Sequence, residues 1–258
     1  MIYETLTYAI DRDVAVITLN RPSVMNALNT QMRAEITHAM RQAGQAARVV
    51  VLTGSGRAFC SGQDLGAEGN FADIDLERTL KDEYVPMLKA ITECPVPTIS
   101  AVNGPAAGAG ANLALAADVV IAAQSAYFVQ AFTRIGLIPD AGGTYLLPRQ
   151  MGLAKAMGAA LFADKISAQQ ASEMGMIWES VPDEKFVAQW QARAAHLAAG
   201  PTETYGHVKN AIRQSFSNSE EDQLELEARL QGACGRTRDF KEGVTAFLDK
   251  RTAKFEGR

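Results

Sequence analysis

The sequence predicts an α/β protein with largely parallel strands, and three observations predict it. Short β-branched runs alternate with segments whose apolar residues recur at helical spacing, the pattern of strands joined by crossover helices. Glycine-rich loops follow strands, the place where α/β proteins gather ligands. The chain has 258 residues, 47% hydrophobic and 21% charged, which allows a large core within ordinary soluble composition.

The first unit begins with Val14-Ala-Val-Ile-Thr-Leu19, a buried strand. Leu28, Met32, Ile36, Met40 and Ala43 follow at helical spacing, and Val49-Val-Val-Leu52 is the next strand. The cycle then repeats with variation. Leu80, Tyr84, Leu88 and Ile91 mark a second amphipathic helix, ended by Pro95 and Pro97. Thr98-Ile-Ser-Ala-Val102 is a strand, residues 112–117 read as helix, and Val119-Val-Ile-Ala122 is a strand again.

From Leu153 the character changes. Ser167-Ala-Gln-Gln170 is a capping box that starts a short helix, with Gly175 as its stop. Pro201, Ser219-Glu-Glu-Asp222 and Asp239-Phe-Lys-Glu242 each open a further helix. Residues 1–200 thus read as a core and 201–258 as a helical tail. Phe240, Val244, Phe247 and Leu248 give the last helix an apolar face that needs a partner, the core or another subunit.

Composition excludes several function classes. A net charge of -4 gives no electrostatic reason to expect nucleic acid or an anionic membrane as partner. No apolar run is long enough to span a bilayer, and the first twenty residues carry no signal-peptide pattern. Cys60, Cys94 and Cys234 are too few and scattered for a disulfide framework or a zinc site, so no metal is expected and a reducing cytoplasm is the natural compartment. His38, His196 and His207 lie apart from each other and from the cysteines, as surface or packing residues do.

Chemistry points to three loops. Ile135-Gly-Leu-Ile-Pro-Asp-Ala-Gly-Gly-Thr144 holds an acid inside an apolar, glycine-rich run. A carboxylate in such surroundings has a raised pKa and can take and return a proton, although an aspartate there can also simply start a turn. Gly54-Ser-Gly-Arg-Ala-Phe-Cys-Ser-Gly-Gln-Asp-Leu65 and Asn103-Gly-Pro-Ala-Ala-Gly-Ala-Gly-Ala-Asn112 each follow a strand. Gly108, Ala109 and Gly110 open a helix whose first N–H groups favour negative charge, and Gly62-Gln63 offers a second donor. Two converging backbone donors stabilise an enolate or a tetrahedral oxyanion. The first loop lacks the Gly-Lys-Ser/Thr ending of a P-loop, and the second lacks the glycine order of a dinucleotide fold.

These loops, preceded by Asn20-Arg-Pro-Ser-Val-Met-Asn-Ala-Leu28, occur in one order along the chain. In that order they resemble the crotonase, or enoyl-CoA hydratase/isomerase, superfamily over essentially the whole chain. The resemblance implies a spiral core of repeated ββα units and a helical tail that builds homotrimers, often paired into hexamers. It implies an acyl-CoA thioester as substrate, with coenzyme A entering as part of it and no separate cofactor. The thioester oxygen would be held by the backbone N–H groups of Gln63 and Ala109. Residues 21–25 and 58–65 would flank the nucleotide and pantetheine, with Ser23, Val24, Ala58, Gly62, Asp64 and Leu65 in contact. Gly108, Phe132 and Pro139 would also contact the substrate, and Phe132 and Phe128 would either help line an apolar acyl pocket or be ordinary core aromatics. Lys250, Arg251 or Lys254 would reach a phosphate across a subunit interface, or be a solvated basic helix end.

The variable positions bear on the reaction. The hydratases this chain resembles carry two glutamates that orient and activate water. Those positions hold Asn112, two residues beyond Gly110, and Phe132, eight before Asp140. The position of Asp140 is a glycine in such hydratases. An aspartate there with Asn112 is similar to the ring-1,2-epoxyphenylacetyl-CoA isomerases of phenylacetate breakdown and to other enoyl-CoA isomerases. The expectation is an isomerase with Asp140 as acid–base group and Asn112 bonded to Asp140 or the substrate. The alternatives are a hydratase of fatty-acid or aromatic catabolism and a non-catalytic CoA-ester-binding subunit. An aryl-CoA dehalogenase would use Asp140 as nucleophile, but the histidine that branch needs is missing near the second loop.

Overall fold

The computed structural model describes residues 2–66 and 75–258. Among them six strands pair in the order β1 (Leu6–Asp11), β2 (Val14–Leu19), β3 (Val49–Gly54), β4 (Thr98–Val102), β6 (Val119–Ala123) and β9 (Glu179–Val181). β1 runs antiparallel to β2, and every other pairing in this sheet is parallel. The chain returns to the sheet through helices, as the alternation of patterns predicts. All five residues of β4 are buried. Neighbouring strand residues face opposite ways, so complete burial means that both faces of the sheet are covered.

The crossover helix α1 (Thr30–Ala46) is capped by Asn29, whose side chain accepts from the N–H of Met32 at 2.9 Å. Met32, Ile36, Ala39, Met40 and Ala43 form its buried stripe. The second crossover, residues 76–92, is interrupted. It runs as α2 (Leu76–Thr79), a π-helical stretch (Leu80–Tyr84) and α3 (Val85–Thr92). The helix read over 112–117 is α4 (Ala109–Leu115), opened at Gly108–Gly110 as that run predicts, with Gly108 at φ +53° turning the chain into it. Three short strands, β5 (Ala106–Ala107), β7 (Tyr127–Val129) and β8 (Ile166–Ser167), form a second small sheet beside it.

Helices α5 (Gly143–Met151), α6 (Leu153–Phe162), α7 (Ala168–Glu173) and α8 (Asp183–Ala198) complete the first 200 residues. The capping box at Ser167 and Gln170 is present, and Gly175 at φ +77° follows the helix it opens. Three tail helices follow, α9 (Thr202–Gln214), α10 (Glu220–Cys234) and α11 (Arg238–Leu248). α11 starts earlier than its acidic residues suggest. Thr237 is the cap, accepting from the N–H of Phe240 at 3.0 Å. The Asp239 carboxylate instead accepts from the N–H groups of Glu256 and Gly257, at 2.7 and 2.8 Å, and ties down the last residues.

α9 is fastened to the core by charge. Asp118, at the start of β6, pairs with Lys209 at 2.7 Å and Arg213 at 2.8 Å and accepts from the N–H and hydroxyl of Thr98. Lys209 also donates to the carbonyls of Cys94 and Val96. The outer faces of the tail are apolar and open, with Ile212 60%, Phe216 57%, Phe247 82% and Leu248 72% exposed. Because removing one member of a largely buried ion-pair group strands the others, Asp118→Ala should lower stability by about 3 kcal/mol. Chemical denaturation would measure that loss, and limited proteolysis should show α9 cut first.

Candidate active site

The sheet brings the carboxyl ends of β3 and β4 side by side, and with them the two glycine-rich loops. The approach is close enough that a Cβ built on Gly62 would lie 2.8 Å from the carbonyl oxygen of Ala107 and 3.5 Å from the nitrogen of Ala109. The residue-63 strap is aligned with the entry to α1. Leu28 N–H donates to the Gly62 carbonyl at 2.7 Å, and Asp64 N–H donates to the Leu28 carbonyl at 3.0 Å. Ala109 is the first residue of α4, so its N–H has no acceptor within the helix. Gln63 and Ala109, far apart in sequence, are thus carried by backbones in contact.

The loop of residues 20–28 lies against the same region. Asn26, at φ +55°, donates to the carbonyls of Ser55 and Ala58, both at 2.9 Å. Ser61 N–H donates to the Met25 carbonyl at 3.0 Å. Ser23 and Val24 stand exposed on the turn at Pro22–Val24, and Leu65 is also exposed. Ala58 and Gly62 are buried beneath them. The Asp64 carboxylate is taken up inside the protein, paired with Arg21 at 2.7 Å and accepting from Gly66 N–H at 3.1 Å. It braces the loop.

Asp140 sits in the third loop, behind buried Pro139 and ahead of Ala141 and Gly142, both in the left-handed region. Its carbonyl accepts from Gly143 N–H at 2.8 Å and from the Asn112 amide at 2.7 Å. Of the two partners expected for Asn112, the structure supplies Asp140, through the backbone and not the carboxylate. Asn112 is fully buried, and its carbonyl oxygen accepts from Gln130 at 2.9 Å. Both ends of its amide are engaged within the protein.

The Asp140 carboxylate is different. Its Oδ1 is buried and meets no hydrogen-bond donor among the described residues. Burial pushes its pKa up to about 6 from the ordinary 3.8. Phe132 lies close by the second loop, its ring edge 3.7 Å from where a Cβ of Gly108 would stand, and is almost wholly buried. Phe128, on β7 beside Ala106 of β5, is fully buried in the core. Among the basic tail residues, Arg251 is engaged by Glu242 at 2.7 Å, while Lys250 and Lys254 are exposed. A groove of 730 Å³ between Asp11, Val14, Arg48 and Trp190 lies elsewhere and includes none of these groups.

Sequence reasoning missed Arg33, Glu83, Tyr84 and Gln130 as neighbours of the site. The one available signal was Arg33 itself, a cation at helical spacing with the buried Ile36 and Met40. The rest depends on long-range contacts that no local pattern encodes.

A desolvated carboxylate in a loop tied to α4 through Asn112 is suited to acid–base chemistry, and the comparisons give the class of protein. Residues 9–258 match the family described as enoyl-CoA hydratase/isomerase. A probable enoyl-CoA hydratase from Rhodobacter capsulatus is 62% identical over 258 residues, covering all of both chains. The 1,2-epoxyphenylacetyl-CoA isomerase of Escherichia coli is 45% identical over 254 residues, 96% of this chain and 97% of that protein. A solved structure from Mycobacterium abscessus, described as a putative enoyl-CoA hydratase/isomerase, superposes with a TM-score of 0.93 at 37% identity. It covers 98% of this chain and 100% of that one. The chain belongs to the enoyl-CoA hydratase/isomerase family, within the crotonase superfamily, whose members are enzymes. Enzymes of this family stand against the alternative of a non-catalytic CoA-ester-binding subunit.

The raised pKa has a thermodynamic consequence of definite sign. Well below pH 3.8 the carboxyl is neutral folded or unfolded; between 3.8 and about 6 the unfolded chain ionises while the folded one keeps its proton, so stability falls across that window and levels off above it. Asp140→Asn should therefore match the wild type in stability at about pH 3 and exceed it at about pH 8, by about 1–2 kcal/mol after allowing for partial exposure. Thermal denaturation of both proteins across that range measures it.

Proposed function

We propose that the protein is an acyl-CoA isomerase in which Asp140 removes a proton next to the conjugated system and returns it elsewhere. The observation that carries this reading is a desolvated carboxylate at position 140 whose Oδ1 is buried without a donor among the described residues, with Asn112 and Phe132 where the resemblance puts water-activating glutamates. The thioester oxygen accepts from the N–H groups of Gln63 and Ala109, which stabilises the enolate formed as Asp140 takes the proton. Reprotonation at another carbon moves the double bond. In a ring-epoxide substrate the same donors and acid assist opening to the seven-membered oxepin. No water is added. The chemistry calls for no metal and no cofactor besides the coenzyme A carried by the substrate.

The identity to the Escherichia coli 1,2-epoxyphenylacetyl-CoA isomerase supports an aryl or enoyl chain of the kind met in phenylacetate breakdown. The open apolar faces of α9 and α11 support assembly as a homotrimer or a dimer of trimers, since areas of this kind are rarely left to water. The higher identity to a probable enoyl-CoA hydratase favours a second reading, in which the same oxyanion site serves addition of water.

One experiment separates the two. The purified protein is mixed in D2O with 3-hexenoyl-CoA and 2-hexenoyl-CoA, and the products are followed by mass. Double-bond migration with deuterium uptake and no gain of water is expected; rapid gain of one water mass would replace the isomerase by the hydratase. Asp140→Asn should lower isomerisation by at least about 10³-fold while acyl-CoA binding persists. Because the base must be ionised, wild-type kcat/KM should rise with pH to a plateau, half-maximal near the carboxyl's value of about 6.

A further inference from the structure

The side chain of Gln63 is held by a buried group of residues that the reaction outlined above does not use. Arg33 on α1 and Tyr84 at the end of the π-helical stretch both donate to Gln63 Oε1, Arg33 at 2.7 Å. The Arg33 side chain is wholly buried. Its Nε and Nη2 donate to one oxygen of Glu83, at 2.9 and 2.6 Å, and its guanidinium lies 4.8 Å from the centre of the Tyr84 ring. A second donation from Nη1 reaches the Leu28 carbonyl at 2.9 Å.

A buried guanidinium is expensive unless its charge and donors are met, and here Glu83, the Leu28 carbonyl, the Thr30 hydroxyl and Gln63 Oε1 all accept from it. The π-helical stretch is itself an uncommon, less well bonded form of helix that recurs at functional sites. Here it brings Glu83 and Tyr84 together onto Arg33.

The geometry explains what this group does. The Gln63 N–H shares a rigid peptide plane with the Gly62 carbonyl. Gly62, at φ +94° and without a side chain, does little to hold that plane. Leu28 N–H grips it at the Gly62 oxygen, and Arg33 grips Leu28 at its carbonyl and Gln63 at its side chain. We propose that Arg33, Glu83 and Tyr84 are positioning residues that clamp Gln63 from behind and so aim its backbone N–H at the thioester oxygen. The inference rests on Gln63 being an oxyanion donor, as in the reading above. Burial raises the Tyr84 hydroxyl well above its ordinary pKa, which keeps it a proton donor throughout the working range.

Tyr84→Phe tests the clamp because it deletes one donor and leaves the ring beneath Arg33. With 3-hexenoyl-CoA, kcat should fall about tenfold with KM within about twofold, since a misaimed donor weakens the transition state more than binding. The pH midpoint near 6 should stay in place, which separates an effect on the donor from one on Asp140. Bound cinnamoyl-CoA should show a smaller downward shift of its thioester carbonyl stretch than in the wild type. In a Gln63→Met background, where the acceptor is gone, Tyr84→Phe should have no further effect. Wild-type kcat and carbonyl shift in Tyr84→Phe, or an undiminished loss in the Gln63→Met background, would overturn the clamp. An active Asp140→Asn would instead remove the isomerase reading and leave the carbonyl-shift test of the clamp intact.

Discussion

The arrangement at the centre of this protein depends on two loops whose backbones touch. A side chain at Gly62 would run into the carbonyl of Ala107, and one at Gly110 would stand 2.3 Å from the carbonyl of Cys60. That contact is stitched by hydrogen bonds from Ala107 N–H to the Cys60 carbonyl at 3.0 Å and from Phe59 N–H to the Pro105 carbonyl at 3.1 Å. It also sets where α4 begins. Once the start of α4 is fixed against the first loop, Asn112 comes to lie one turn in, within reach of the Asp140 carbonyl. The third loop is therefore placed by the contact between the first two.

Parts of this were legible from local pattern. The parallel units, the capping box at Ser167 and the glycine loops all rest on short-range chemistry, so residues 14–52 and 98–122 read correctly as alternating strand and helix. The antiparallel partner β1 was only faintly legible, because Leu6, Tyr8 and Ile10 alternate along it over a mere six residues and Leu6 alone is buried. Asp239 misled for a related reason. It lies near a helix start and looks like a cap, yet its carboxylate binds N–H groups 17 and 18 residues away. The same limit hid the Arg33 group, whose members are joined across about 50 residues of sequence. Asp140 was legible because an acid in an apolar loop is a local anomaly; the amide that holds its backbone was legible in position, and its mode of contact was not.

The two polar side chains nearest that loop divide the work between order and reactivity. Asn112 has donor and acceptor both satisfied, which makes a buried amide a rigid strut. Asp140 has its backbone carbonyl doubly bonded and its Oδ1 left bare. A carboxylate satisfied by two or three donors would have a low pKa and would be a weak base. Leaving the oxygen bare destabilises the folded protein at neutral pH, while the two hydrogen bonds to the carbonyl fix the backbone that carries the group. Stability and basicity thus trade against one another at one residue.

On the isomerase reading, having one carboxylate instead of two constrains the substrate as well as the enzyme. The proton leaves to Asp140 and must come back from Asp140, so both carbons have to face the same side of the acyl chain. The two oxygens of a carboxylate span about the separation of alternate carbons in a chain, so a single fixed group reaches both without moving. Water has to be kept from the enolate meanwhile. An aromatic ring at position 132, packed against Gly108, gives the second loop an apolar wall where a glutamate would hold a water. On that reading, a phenylalanine at position 132 both withholds a water-activating acid and shields the enolate.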